Sequence, residues 1–196
     1  LFIRPLVIKD TDFIIQLLNT KGWIQFIGDR NVKDTKSAIE YIQRILSNNR
    51  FFYNVFVIKE TNTPIGIVTF LYRENYDSPD IGFAMLPQYA KKGFAHEATK
   101  NYLEKLRENN IGKIIAITKP ENENSSNLLI KLGLQFEKNF LENDEECKVI
   151  YKCDADEAFM NISGLLNCSL DFIERPYTEL ELYTQEINFN TSPRKG

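Results

Sequence analysis

Three apolar segments that follow one another without a helical segment between them constrain the fold of this chain most. FFYNVFVIKE, PIGIVTFLYR and DIGFAML begin at residues 51, 64 and 80 and are rich in β-branched and aromatic residues. Polar turns separate them, and runs joined in this way are typical of antiparallel strands. The sequence therefore predicts three consecutive strands over residues 51–86.

Helical spacing appears on the amino-terminal side of this region. Residues 2–5 form a first short strand, and Asp10 or Thr11 is expected to cap a helix. A second helix is expected to begin at Asp34 or Thr35. Apolar residues recur on one face of each helix, namely Phe13, Ile14, Leu17 and Leu18 in the first and Ala38, Ile39, Ile42, Ile45 and Leu46 in the second. Residues 22–32 between them read as a functional loop or a broken helix.

The pattern after residue 86 alternates between helix and strand. A helix is expected from Phe94 to the Asn109–Gly112 region, followed by a buried strand at residues 113–118. Asn122 is the expected cap of another helix, which Gly133 closes. LQFEK and KVIYK then supply two more strands. The predicted order is β-α-α-β-β-β-α-β-α-β-β within a domain of residues 1–153.

Residues 154–196 are expected to form a C-terminal extension. They are too apolar for a disordered tail. We expect a helix up to about Arg175 and an extended piece after it, packed on the domain or on a second subunit.

Charge and composition exclude several classes of protein. A hydrophobic fraction of 43% and a net charge of −3 fit a globular protein and lack the basic footprint of a nucleic-acid binder. No apolar run has the length of a membrane span, and the first residues lack the pattern of a signal peptide. The three cysteines show no metal-ligand spacing. Reduced thiols and a cytoplasmic location are the expectation.

The junction PQYAKKGFAHEA (residues 87–98) concentrates positive charge where a strand becomes a helix. The first N–H groups of a helix lack intrahelical partners, and the helix dipole adds positive charge there. Gly93 allows close approach of a ligand, and Lys91 and Lys92 add charge. The junction therefore predicts a phosphate site, with a solvated loop as the alternative. It is neither a Walker loop nor a dinucleotide-binding fingerprint.

DIGFAMLPQYAKKGFAHEA, followed further along by ITKPENENSSNLLIKLGLQFEK, resembles the GNAT superfamily of acyl-CoA N-acyltransferases. Within the superfamily, the chain most resembles the branch that contains the ribosomal-protein N-acetyltransferases RimJ and RimL. The resemblance covers residues 1–152. In the family's loop pattern, Gly93 and Ala95 match, whereas Ala90 replaces the usual Gln or Arg. The resemblance implies an α/β (α+β) GNAT fold, whose mostly antiparallel central sheet contains a splayed strand pair and is flanked by helices.

The resemblance also implies acetyl-CoA as acyl donor and no metal. Its pyrophosphate is expected on the loop amides, and its pantetheine arm on the backbone of the preceding strand. A backbone N–H near Met85 is expected to stabilise the oxyanion that forms on attack. The implied residues are Lys91, Lys92, Gly93, Phe94 and Ala95 for the pyrophosphate, and Ala84, Met85 and Leu86 for the pantetheine arm.

Two residues are candidates for proton transfer. Ser125 is expected to protonate or hydrogen-bond the departing thiolate, with satisfaction of local backbone as the alternative. Asp80 is expected to accept the ammonium proton through water or to hold a cationic substrate, or else to be a carboxylate at a turn. Asn122 is interpreted as a helix cap, a pantetheine contact, or both. His96 is the only histidine, and its place beside the expected phosphate site makes a bystander role the favoured interpretation.

In relatives the loop at residues 22–32 walls the acceptor site, so Trp23, Phe26, Asp29 and Arg30 are expected to bind substrate. A core aromatic pair and a surface ion pair are the alternative interpretation of the same residues. The predicted partner is an amine acceptor, such as a protein N-terminus or a small molecule, with no nucleic acid and no membrane involved. A monomer or a homodimer fits, and a catalytically inactive CoA-binding or interaction module is the competing functional class.

Overall fold

The computed structural model describes residues 1–109, 111–142 and 146–154. Seven strands form one sheet. They are β1 (Phe2–Pro5), β2 (Phe51–Ile58), β3 (Thr63–Leu71), β4 (Asp80–Met85), β5 (Lys113–Thr118), β6 (Gln135–Glu142) and β7 (Glu146–Asp154). Their order across the sheet is β1-β2-β3-β4-β5-β7-β6. Every neighbouring pair is antiparallel except β4 and β5, which are parallel.

Helices cover both faces of this sheet. The described helices are α1 (Thr11–Leu18), α2 (Lys21–Phe26), α3 (Thr35–Leu46), α4 (Phe94–Glu108) and α5 (Glu123–Lys131). The predicted α/β fold with a mostly antiparallel sheet is confirmed, and so is the order of its elements. One helix is additional, because the first part of the segment interpreted as a loop or broken helix forms α2.

Alternation along the strands divides the core into two layers. Val55 and Val57 of β2 pack with α1, α2 and α3 in one buried cluster, which we call the α1–α3 face. Phe56, between them, belongs to the second cluster with residues of α4 and α5, which we call the α4–α5 face. Because side chains on a strand alternate sides, each central strand contributes to both layers.

Two of the predicted helix caps have different outcomes. The Asp34 carboxylate accepts a hydrogen bond from the Ser37 backbone N–H at 2.8 Å, as expected of an N-cap. The predicted position is confirmed for α1, whose N-cap residue is Asp10, but the Asp10 side chain makes no capping hydrogen bond. Arg4 of β1 donates two hydrogen bonds, at 2.7 and 2.6 Å, to the Asp10 carboxylate. The carboxylate therefore binds a strand residue and not the first N–H groups of α1. The Thr11 hydroxyl donates instead to the Ile8 carbonyl at 2.6 Å.

Apart from Asp154, the predicted C-terminal extension lies outside the described residues, and so do the cysteine side chains. Among the helices that are described, none has the length and apolar character needed to cross a bilayer.

Candidate functional site

A gap opens in the middle of the sheet between β4 and β5. Their one registered pair is Asp80 with Ile115, and the Ile115 N–H donates to the Pro79 carbonyl at 2.9 Å. Beyond this point β4 continues to pair with β3 as far as Met85. On its far side, β5 pairs with β7 as far as Thr118. The two parallel strands therefore separate towards their carboxyl ends, as the predicted splayed pair requires.

The register of β4 determines which of its backbone groups face the gap. The Leu86 N–H donates to the Ile65 carbonyl of β3 at 2.9 Å, and its carbonyl accepts from the Tyr89 N–H at 3.1 Å. In an antiparallel pair the hydrogen-bonding direction alternates with each residue. The backbone N–H and carbonyl of Ala84 are therefore directed at β3, like those of Leu86. The backbone groups of Phe83 and Met85 are directed into the gap.

Of the three residues predicted to contact the pantetheine arm, only Met85 points its N–H and carbonyl at the gap. Phe83 was missed. Two-residue periodicity counted from Met85 was the signal that would have identified it.

The cationic turn lies at the end of β4. A short 3-10 turn, Pro87–Tyr89, leads into Lys91 with φ of +62° and Gly93 with φ of +84°. Backbone turns that include left-handed residues can direct successive N–H groups into one concavity that binds anions. Among the described residues no side chain caps α4, and its first intrahelical bond runs from the Glu97 N–H to the Gly93 carbonyl at 2.9 Å. The N–H groups before Glu97 are therefore available to a ligand.

The α5 helix begins at the corresponding end of β5. The Ser125 N–H donates to the Asn122 side-chain oxygen at 3.2 Å, so Asn122 is the predicted cap. Ser125 is half-buried, and its hydroxyl makes no hydrogen bond to the described residues. Local backbone therefore does not occupy this hydroxyl.

Asp80 is a buried carboxylate at the point where β4 and β5 separate. It is 4% exposed, and Arg73 Nε donates to its Oδ2 at 2.7 Å. Burial raises the pKa of Asp80 to about 6, against the opposing effects of Arg73 and of the Ile117 backbone N–H. Ile117 lies two residues beyond the paired Ile115. The carboxylate thus interacts with β5 where the backbone ladder would otherwise continue.

A pair of tyrosines lies near this carboxylate, and the sequence did not indicate it. Tyr53 of β2 hydrogen-bonds Tyr41 of α3, and burial raises the pKa of both hydroxyls above the ordinary value. Arg73 and Asp80 also act electrostatically on the pKa of Tyr53. The two tyrosines are separated along the chain and lie on different kinds of element, so no local motif could have indicated their pairing.

The four residues predicted to wall the acceptor site lie in different environments. Trp23 is 5% exposed and packs in the cluster of the α1–α3 face, while Phe26 is half-buried. Asp29 is exposed, accepts from the Asn31 N–H at 2.8 Å and pairs with Lys33 at 3.2 Å. Arg30 is exposed and makes no ion pair with the described residues. The alternative interpretation of a core aromatic and a surface ion pair therefore describes Trp23 and Asp29.

His96 lies in the first turn of α4, with its ring near the Lys131 backbone carbonyl at the end of α5. Its pKa is lowered mainly by burial and then by Lys100 and Lys131. These contacts hold the ring between two helices.

Comparison with known proteins gives one matching family and many similar structures. The family described as "Acetyltransferase (GNAT) domain" matches residues 1–135. An uncharacterized N-acetyltransferase from Bacillus subtilis (strain 168), YnaD, is 26% identical over 141 residues, which are 71% of this chain and 82% of YnaD.

Two solved structures illustrate the structural similarity. A GNAT-family acetyltransferase from Bacillus anthracis aligns with a TM-score of 0.67 and 22% identity, over 79% of this chain and 95% of that one. A spermidine N-acetyltransferase from Vibrio cholerae, solved with CoA and spermine, also aligns with a TM-score of 0.67. It is 18% identical over 80% of this chain and 96% of that one.

Proposed function

Because this chain belongs to the acetyltransferase (GNAT) family, we propose that it transfers the acetyl group of acetyl-CoA to a primary amine. The amine, on a protein N-terminus or a small molecule, attacks directly within a ternary complex. The observation that carries this proposal is the uncapped start of α4 beside the gap between β4 and β5. Within the family, the sequence motifs favour a RimJ/RimL-like branch.

The donor half of the site uses backbone more than side chains. The N–H groups of Lys91, Lys92, Gly93, Phe94 and Ala95 bind the pyrophosphate, and the two lysine ammonium groups add charge. Phe83 and Met85 offer strand-like hydrogen bonds to the amides of the pantetheine arm, because their backbone groups face the gap. Asn122 holds the start of α5 at the other side of the same gap.

Acetyl-CoA supplies an activated thioester. The Met85 N–H is directed into the gap and stabilises the negative charge that develops on the carbonyl oxygen. As the new C–N bond forms and the C–S bond breaks, the Ser125 hydroxyl hydrogen-bonds or protonates the departing thiolate. A hydroxyl that makes no hydrogen bond to the described part of the chain is suited to this role.

Asp80 accepts the proton that the amine loses, through a water molecule. Its pKa of about 6 is nearer to neutrality than that of an exposed carboxylate, and proton transfer is most efficient when the pKa approaches the working pH. Arg73 holds one oxygen of the carboxylate.

The test is release of free CoA from acetyl-CoA in the presence of primary amines and N-terminal peptides, with acetylated product identified by mass spectrometry. We expect acceptor-dependent release. Tight CoA binding without turnover on any acceptor would overturn the proposal in favour of an inactive CoA-binding module.

A further inference from the structure

The strand β4 is accessible from both faces of the sheet after Ile81. Ala84 and Leu86 pack on the α1–α3 face, and alternation places Gly82 and Asp80 on that same face. Gly82 and Ala84 are nevertheless half-exposed there, whereas Ile81 on the opposite face is buried. The helices of the α1–α3 face therefore leave part of β4 uncovered.

One side-chain atom crowds the space above Gly82. A Cβ atom at this position would have one neighbour within 4 Å, the Thr69 hydroxyl oxygen at 2.7 Å. Thr69 pairs with Gly82 across β3 and β4, and Tyr53 pairs with Thr69 across β2 and β3. One row of the sheet thus runs from the tyrosine pair to Gly82 on β4. An acceptor that approaches β4 from the α1–α3 face meets this row.

Most of the charges that act on the two tyrosine hydroxyls are positive. Arg30 and Arg44 act on the Tyr41 hydroxyl, and Arg30, Arg73 and Asp80 act on the Tyr53 hydroxyl. The Arg44 guanidinium lies 5.7 Å from the centre of the Tyr41 ring. The one carboxylate in this set, Asp80, already pairs with Arg73 at 2.7 Å. Three arginines therefore face one carboxylate.

Arg30 is the cation of this set that is best placed to meet a ligand. Its segment is anchored because Val32 is buried in the same cluster as Tyr41, and Asn19 Nδ2 donates to the Val32 carbonyl at 2.7 Å. The neighbouring carboxylate of Asp29 is engaged by Lys33 and by the Asn31 N–H. Arg30 itself is exposed and without an ion pair among the described residues.

We propose that the acceptor is a small primary amine that also carries a carboxylate or phosphate, and that Arg30 binds this anionic group. The inference rests on the proposed acetyl transfer. A guanidinium binds carboxylate and phosphate through two parallel hydrogen bonds, whereas the second ammonium of a polyamine meets repulsion. The chain therefore differs in acceptor class from the spermidine N-acetyltransferase that shares its fold.

The test compares matched acceptors of equal chain length: ω-amino acids, aminoalkyl phosphates, alkylamines and diamines. For each, the KM for acetyl transfer and the binding to the CoA complex by calorimetry are measured. We expect the anionic acceptors to bind and react best, and the two anionic series show which anion is preferred. Preference for diamines, for neutral amines, or for peptides without acidic side chains would overturn the inference.

Arg30→Gln, Arg30→Glu and the matched control Arg107→Gln in α4 test the residue. We expect Arg30→Gln to raise the KM for anionic acceptors by about 10- to 100-fold without changing the KM for acetyl-CoA. Arg30→Glu should shift preference towards diamines, and Arg107→Gln should behave as wild type. An equal effect of Arg30→Gln on all acceptors would overturn the assignment. Binding of anionic amines without any transfer, weakened by Arg30→Gln, would overturn the proposed function and support only the binding of the anionic group by Arg30.

Discussion

Asp80 is a carboxylate that burial makes harder to ionise, and this property predicts a specific pH profile. If it accepts the amine proton, Asp80→Asn should lower kcat by about 100-fold or more while the KM for acetyl-CoA stays constant. The acidic limb of the kcat profile near pH 6 should disappear with the carboxylate. An Asp80→Asn enzyme that keeps its activity and its acidic limb would show that another group takes the proton.

Stability provides a second measurement of the same residue. The folded-state pKa of Asp80, about 6, lies above the ordinary value of 3.8, so the folded protein binds this proton more tightly than the unfolded chain does. Its contribution to stability is therefore present below about pH 4 and is lost as the pH rises through about 6. In urea unfolding, wild type should lose stability relative to Asp80→Asn across this interval. A difference that does not change with pH would contradict the raised pKa.

Ser125 and Ser126 form a natural matched pair, since both are half-buried neighbours in α5. Ser125→Ala should lower kcat by about tenfold or more, with little change in thermal stability because the hydroxyl has no partner among the described residues. Ser126→Ala should leave kcat unchanged. Equal losses in both variants would point to a general effect on α5 and remove Ser125 from the mechanism.

At the scale of elements, the turn before α4 depends on Gly93 and its positive φ. Gly93→Ala should cost about 1 kcal/mol in folding and should weaken acetyl-CoA binding by about tenfold or more, because the N–H groups lose their common direction. Gly133, with φ of +86°, follows α5 and provides the control. Gly133→Ala should show the same loss of stability with unchanged binding, and weaker binding in both variants would contradict the assignment of the turn.

The edge of β4 predicts an alternating pattern of amide hydrogen exchange. In the free protein the Phe83 and Met85 amides should exchange quickly, because they face the gap, and CoA should protect them. The Ala84 and Leu86 amides, which are directed at β3, should exchange slowly with and without CoA. Protection of all four residues only on CoA binding would mean that the register of β3 and β4 differs from the one described.

Local sequence patterns predicted the helices and strands well. They predicted less well where individual side chains and backbone N–H and carbonyl groups point. The runs around Val55, Val68 and Phe83 identify strands because alternation and β-branching act locally. Asp10 is the N-cap residue of α1 as predicted, but its carboxylate binds Arg4, on a strand, and makes no capping hydrogen bond. The direction of the Ala84 and Leu86 backbone depends on pairing with β3, and a strand's own sequence does not contain that register.

At the scale of the whole molecule, the sheet consists of two blocks of strands. The first block contains β1 to β4, the second contains β5, β6 and β7, and the two blocks meet at one registered pair. A ligand in the gap contacts both blocks and should stabilise the folded protein as a unit. At 100 times its Kd, CoA should add about 2.7 kcal/mol to the free energy of unfolding. ATP and NAD lack the pantetheine arm and should leave Tm nearly unchanged in the same thermal scan. An equal shift with ATP would indicate a general nucleotide site.

The alternation of β4 also bears on how such an enzyme can change over evolution or by design. Odd-numbered positions such as 83 and 85 direct backbone into the gap where we propose that the donor binds, and even-numbered positions such as 82 and 84 lie on the face where we propose that the acceptor binds. Mutations at even positions other than 80 can then change the acceptor without changing the backbone groups that we propose bind the donor. Deleting one residue within β4 would exchange the two roles, so we expect insertions and deletions here to be far less tolerated than substitutions.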